Sequence, residues 1–280
     1  MDEPKRTPLD FYVLIPCYNN LSGLILSLKS ISYDPAGYGV LVVDDGSRAP
    51  VKPEDLTPYL PQDLEVRILT LPKNSGITIA LNTGLEWLEK QGNCRYVARL
   101  DCGDLCADQR FTRQIEFMDQ HPDIDMVGSW CIFKDFNSGF SYRYTTPTDH
   151  DKIIRGMYFK NVFRHSTVLW RSEIIRKTGI YPDTFPHAED YGFFYQILNK
   201  GKAAILPEYL VICEIDARSI SVHNRREQLR SRSRVVKQYG KNRLFSLIGA
   251  GRLWLLRVIP YKIILEIKGF LYGIKRKTVI

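Results

Sequence analysis

Val40-Leu41-Val42-Val43-Asp44-Asp45-Gly46-Ser47 is the stretch on which the fold turns. Its first four residues are an unbroken apolar run, three of them β-branched, the composition of a strand buried on both faces. Two aspartates, a glycine and a serine then stop it in turn-forming residue types. Upstream, Phe11-Tyr12-Val13-Leu14-Ile15 is a second such run, ended by Pro16. Between the two, Leu21, Leu24, Ile25, Leu28 and Ile31 recur at helical spacing. A strand, a helix and a second buried strand make a parallel pair joined by a right-handed crossover.

The alternation continues downstream. A strand is expected at Val66-Arg67-Ile68-Leu69, then a helix from Ser75 with Ala80, Leu81, Gly84, Leu85 and Leu88 on one face, then a strand from Tyr96 to Leu100. Asp108 is placed to cap a helix carrying Phe111, Ile115 and Met118 on one side and ending near His121-Pro122. Met126 to Phe133 reads as another strand. Residues 10–135 are therefore an open α/β sheet of the nucleotide-binding kind. Residues 136–216, with strands at 166–170, 203–206 and 210–213 and a helix at 189–199, are read as the acceptor-facing half of the same domain.

Composition bounds the rest. The chain has 280 residues, 44% hydrophobic and 25% charged, as expected of a globular protein. Its net charge of +8 is unevenly spread: residues 1–216 hold 23 Lys/Arg against 29 Asp/Glu, and residues 217–280 hold 16 against 2. That asymmetry makes 217–280 a basic extension suited to an anionic partner, either nucleic acid or a membrane surface. The six cysteines form no CxxC pair and no secretory signal precedes the first strand, which fits a reducing cytosol. Cys102 and Cys106 lack two further ligands at zinc spacing and read as small buried thiols.

Ligands of open α/β sheets bind where strands end at their carboxyl edge. Three polar clusters fall there: Pro16-Cys17-Tyr18-Asn19, Asp44-Asp45-Gly46-Ser47 and Asp101-Cys102-Gly103-Asp104. Carboxylates in such turns can accept hydrogen bonds from a base or ribose, or join a cation that neutralises a diphosphate. Each cluster alone is equally well read as plain turn chemistry.

Together with Asn74-Ser75-Gly76, Ala80, Asn82 and Gly84, then Arg99-Leu100-Asp101 and Glu189-Asp190, these clusters resemble the family 2 glycosyltransferases of the GT-A fold, over roughly residues 10 to 215. The resemblance implies a GT-A type α/β fold, an open and mostly parallel sheet flanked by helices. It implies that Pro16 and Tyr18 line a nucleotide pocket, that Asp45 contacts the base and Asp44 supports its turn, and that Lys73 and Asn74 reach the nucleotide. Asp101 would begin the metal and ribose motif, and Asp190 would be the base of an inverting transfer. The donor expected is a nucleotide sugar, UDP-linked first and dTDP-linked second, and the acceptor a glycan or lipid-linked hydroxyl in bacterial surface polysaccharide synthesis. Gly103 departs from the family's Asp-x-Asp-Asp arrangement, which leaves Asp101 and Asp104 to hold Mg²⁺ or Mn²⁺. For Glu189-Asp190 the local alternative is favourable charge at a helix start. For His165 and His187 it is a structural histidine.

In the extension, residues 224–240 read as a basic helix. Leu253 to Ile274 is apolar but interrupted by Arg257, Lys262, Glu266 and Lys268, which disfavours a membrane span. Ile263, Ile264, Ile267, Phe270, Leu271 and Ile274 share one helical face, which suits either the protein's own core or an anionic membrane interface reached from the cytoplasm. No Gln-x-x-Arg-Trp motif is present, so single addition is expected. Two rivals stand beside this reading. A sugar-nucleotide nucleotidyltransferase would carry a glycine-rich basic loop where Pro16-Cys17-Tyr18-Asn19-Asn20 stands, and a nucleic-acid-binding protein would have to bring a polyanion past the acidic turns.

Overall fold

The computed structural model describes residues 9–215 and 224–259. The decisive stretch forms β2 (Tyr38–Asp44), all seven residues buried. It pairs in parallel with β1 (Leu9–Cys17), and α1 (Leu21–Lys29) makes the crossover. A short α2 (Pro53–Leu56) leads to β3 (Glu65–Thr70), which lies parallel to β2. Next come α3 (Ile77–Gln91) and β4 (Cys94–Arg99), the latter parallel to β1 on its other side. The strand order thus reverses direction at β1, and such a switch point opens a crevice at the strands' carboxyl ends.

Beyond β4 the sheet becomes mixed. β5 (Leu105–Cys106), α4 (Arg110–Gln120), β6 (Met126–Lys134), β7 (Ser141–Tyr144) and α5 (His150–Met157) are followed by β8 (Leu169–Arg171), α6 (Ile174–Thr178), α7 (Glu189–Lys200) and β9 (Ala203–Glu214). Among the described residues the order is β3-β2-β1-β4-β8-β6-β9-β5, with β7 on the side of β6. β8 runs antiparallel to β4 and β6, while β6 and β9 are parallel.

Side chains alternate between two cores. Tyr12, Leu14, Leu41 and Val43 face one cluster, and Phe11, Val13, Ile15, Val40 and Val42 the other. Fully burying such a side chain contributes about 1.5–3 kcal/mol, so two central strands with both faces covered anchor the fold. The C-terminal α8 (Arg225–Tyr239) and α9 (Arg243–Val258) pack on the first of these clusters through Leu229, Val235, Val236 and Leu253. Gly249 permits this docking, because a Cβ there would collide with the carbonyl oxygen of Tyr158.

Three local expectations are corrected. The strands foreseen at 203–206 and 210–213 are one strand, its register against β6 shifting around Trp130. Asp108 does not cap α4, whose N-cap is Gln109 in a left-handed conformation (φ 62°) without a side-chain cap bond. Residues 165–167 form a 3-10 turn, and pairing begins only at Leu169. The apolar face proposed for residues 263–274 lies outside the described residues.

Candidate active site

The Asp44-Asp45 turn is built from its own carboxylates. Asp44 is fully buried and accepts hydrogen bonds from the amides of Ser47 (2.9 Å) and Val51 (2.8 Å), so it holds the turn. Asp45 faces the other way. One oxygen accepts from the Ser75 amide (2.7 Å), the other from the Gly76 amide (2.9 Å) and Asn74 Nδ2 (3.1 Å). It therefore tethers the loop that starts α3. Gly46 (φ 69°) lies against the Lys73-Asn74 backbone, with Asn74 N only 2.5 Å from where a Cβ would sit. Asn19, also left-handed (φ 49°), ties in the loop after β1: its amide donates to Ser47 Oγ (2.8 Å) and its Oδ1 accepts from the Arg48 amide (2.9 Å). The first two clusters and Lys73-Asn74 are thus brought together. Pro16 is partly exposed, Lys73 and Asn74 are exposed, and the Tyr18 ring is 48% exposed, open to a planar ligand.

The third cluster lies across the switch point. Ser27 of α1 organises it, its hydroxyl donating to the Asp104 carbonyl (2.8 Å) and accepting from the Gly103 amide (2.9 Å). Burial would raise the pKa of Asp101, but the Arg99 guanidinium paired with it, helped by Ser166 at 2.9 Å, holds it down to about 2. Asp104 is buried and accepts from the Glu214 amide (2.8 Å); burial and the nearby Asp101 charge push it up to about 6. His165 is buried beside Arg99 and Tyr181. Its Nε2 accepts from Arg99 Nε (3.2 Å), which can only donate, and from the Tyr181 hydroxyl (2.8 Å), so the proton belongs on Nδ1. Burial and the Arg99 charge push its pKa down to about 3.

Glu189 and Asp190 begin α7, whose following residues Tyr191, Phe193 and Phe194 are core. Rigid packing of the helix fixes the carboxylates it starts with. Asp190 accepts from its neighbour's amide (Tyr191, 2.7 Å) and from Asn161 Nδ2 (2.8 Å), while remaining partly exposed. Burial raises its pKa above the usual range, against the opposing pull of the Arg232 and Arg164 charges. Glu189 is buried with Oε2 unpartnered, and burial plus the Asp190 charge push it up to about 7.

Residues 12–179 match the family described as "Glycosyl transferase family 2". The chain belongs to that family. Among relatives, the amylovoran biosynthesis glycosyltransferase AmsE of Erwinia amylovora is 32% identical over 58% of this chain and 59% of its own length. The UDP-Gal:alpha-D-GlcNAc-diphosphoundecaprenol beta-1,3-galactosyltransferase of Escherichia coli is 27% identical, covering 71% and 70% respectively. The first curated relatives are matched over about three fifths of their length. Among solved structures, the mannosyltransferase PcManGT of Pyrobaculum calidifontis, in complex with GDP-Man and Mn²⁺, superposes with a TM-score of 0.62 at 17% identity, over 96% of this chain and 83% of that one. S. aureus TarS 1–349 in complex with UDP-GlcNAc gives 0.62 at 18% identity, over 88% and 72%. These likenesses establish the GT-A fold.

Within this family 2 chain the acidic turn does not by itself make up a cation cage. Asp101 already engages Arg99 and Ser166, and Asp104 engages the Glu214 amide. At Gly103 the left-handed backbone (φ 99°) favours glycine, and a Cβ there would have to displace the Glu214 carboxylate. Among the described residues no three His, Cys, Asp or Glu are grouped to hold a metal. Asp101 and Asp104 are the two carboxylates of the turn that would hold a divalent cation of the kind present in the Pyrobaculum neighbour, and no chemical step is assigned to one.

Asn161, Arg164, Glu214 and Arg232 were not anticipated. Glu214 lies 111 residues beyond Gly103 and Arg232 lies 42 residues beyond Asp190, so only tertiary folding brings them near. A signal for Arg232 did exist: it shares a helical face with Leu229 and Val236, an odd position for a solvated charge.

Proposed function

We propose that the protein is an inverting glycosyltransferase that moves a sugar from a nucleoside-diphosphate donor to a hydroxyl of a glycan or lipid-linked acceptor, in bacterial surface polysaccharide synthesis. The observation that carries this reading is Asp190: a carboxylate oriented by Asn161 and its own helix, partly open to solvent, with a raised pKa. A base works best when its pKa approaches the working pH. In the reaction, an Asp190 oxygen takes the proton of the acceptor hydroxyl as that oxygen bonds to the sugar's anomeric carbon. The bond from that carbon to the diphosphate breaks on the opposite face, and the configuration inverts. Tyr18, Asp45 and the Lys73-Asn74 loop receive the base and ribose. Asp45 shares or releases its loop hydrogen bonds as the nucleotide enters, which couples donor binding to the start of α3. UDP is the first candidate nucleotide and dTDP the second; UDP-GlcNAc in TarS and UDP-Gal in the E. coli relative's name favour the first.

The nucleotidyltransferase and nucleic-acid readings have no comparable support, since family membership and the acidic switch point both favour sugar transfer. We also propose that the protein works on the inner membrane surface. No helix among the described residues is long and apolar enough to cross a membrane, but α9 presents Leu244, Leu247, Ile248, Trp254, Leu255 and Val258 to solvent.

The test is a hydrolysis and transfer screen across nucleotide sugars, with Mn²⁺ and with EDTA, which also reads any cation requirement. Asp190→Asn should lower transfer about 10²–10⁴-fold while donor binding holds. Near-normal turnover would remove Asp190 from the mechanism.

A further inference from the structure

Four arginines stand around the site, Arg99 and Arg110 fully buried and Arg164 and Arg232 half-buried, and they divide into two kinds. Arg99 donates to the carbonyls of Leu14 (2.6 Å) and Leu100 (2.8 Å), to His165 and to Asp101. Arg110 donates to the Arg99 carbonyl (2.9 Å) and to Gln114 Oε1 (3.2 Å). Both guanidiniums are consumed in holding the fold. Arg164 and Arg232 differ. Their Nε atoms are buried and without a hydrogen-bond partner, and among the described residues neither guanidinium forms an ion pair. Arg164 is steadied instead by the face of Phe133, 4.8 Å from the ring centre.

The two come from opposite ends of the architecture and meet beside the proposed base. Arg164 precedes the 3-10 turn before β8, and Arg232 lies on α8, held to the core by Leu229 and Val236. The Arg164 charge bears on Arg232, and both bear on Asp190. Two neighbouring half-buried like charges, each with a buried Nε that has no partner, are costly, and an anion completing the site would offset that cost. A guanidinium's flat fork matches phosphate oxygens, and a pair of forks matches two linked phosphates.

We propose that Arg164 and Arg232 form a diphosphate-binding pair beside Asp190, with α8 supplying half of it. This rests on the glycosyltransferase reading, which offers two sources of that chemistry: the nucleoside diphosphate leaving the donor, or a polyprenyl diphosphate carrying the acceptor. The pair receives the negative charge that such a diphosphate carries.

Titration calorimetry on the full chain tests it in two arms. In one, whichever of UDP, dTDP and GDP binds best is compared with its nucleoside. In the other, farnesyl diphosphate is compared with farnesol in micelles. Arg164→Gln and Arg232→Gln should weaken a diphosphate ligand about 10- to 100-fold and leave its phosphate-free counterpart unchanged. Arg164→Lys and Arg232→Lys, which keep stem and charge, should recover part of the loss; they carry the test if a Gln variant misfolds. Loss in the first arm assigns the pair to the donor, loss in the second to the acceptor, and either upholds it. Diphosphate affinity that survives the substitutions in folded variants overturns the pair alone. A wild-type chain that binds no diphosphate in either arm overturns both the pair and the glycosyltransferase reading.

Discussion

At the scale of single residues, adjacent aspartates with one sequence signature have different work. Asp44 spends its oxygens on its own turn, while Asp45 reaches 30 positions ahead to the amides that open α3. The acids of α7 divide in the same way: Asp190 is hydrogen-bonded on both oxygens, and Glu189 keeps one oxygen buried and unpartnered. The folded protein prefers Glu189 protonated, with a pKa of about 7 against the ordinary glutamate value of 4.5. Between these values the folded state binds more protons than the unfolded one, so stability falls as pH rises through that window. Asp190, also raised, acts in the same sense. Thermal midpoints measured across the window should therefore decline more steeply for the wild type than for Glu189→Gln. Identical slopes would mean that Glu189 is not held neutral.

At the scale of elements, the site depends on a turn packed against a loop. Gly46 combines a left-handed backbone with an approach to Lys73 and Asn74 that leaves no space for a methyl group. Gly46→Ala should cost about 1–3 kcal/mol from backbone strain and displacement of that loop. Denaturant midpoints will read the stability loss, and nucleoside diphosphate titration should show weaker binding in parallel. A variant of wild-type stability would show that the loop gives way without penalty. The α8–α9 pair is the other decisive element. From the sequence it is a basic extension, yet α8 buries Leu229, Val235 and Val236, and Arg225 and Arg252 donate to the carbonyls of Leu256 (2.5 Å) and Phe159 (2.5 Å). Part of its positive charge is thus structural.

At the scale of the whole molecule, α9 is turned inside out relative to an ordinary surface helix. It buries Ser246, Gly249, Ala250 and Leu253 yet leaves a second set of large apolar residues exposed, Leu247 at 70% and Trp254 at 61% among them. With Arg243 and Arg257 on the same helix, that surface suits an interface of acyl chains and anionic headgroups. The full chain should therefore sediment with phosphatidylglycerol vesicles, and the double variant Leu247→Glu/Trp254→Glu should lose about tenfold or more of that binding. Equal binding by both proteins would remove α9 from membrane contact.

The sequence by itself determined the parallel half of the sheet, because buried strands need unbroken apolar runs and crossover helices need a periodic face. Val40 to Val43 and Phe11 to Ile15 could hardly be anything else. It also placed the polar clusters at strand ends, since strand order and polarity follow from that alternation. The single long β9 was hidden behind Pro207 and Glu208, a polar break that its pairing with β6 absorbs through a register shift. Only the tertiary structure decided that Glu214 lies against Gly103, that Arg99 engages Asp101, and that Arg232 comes to Asp190. Local pattern reports which face of an element is buried. Which charges meet there depends on contacts between residues far apart in the chain, and no local pattern encodes those.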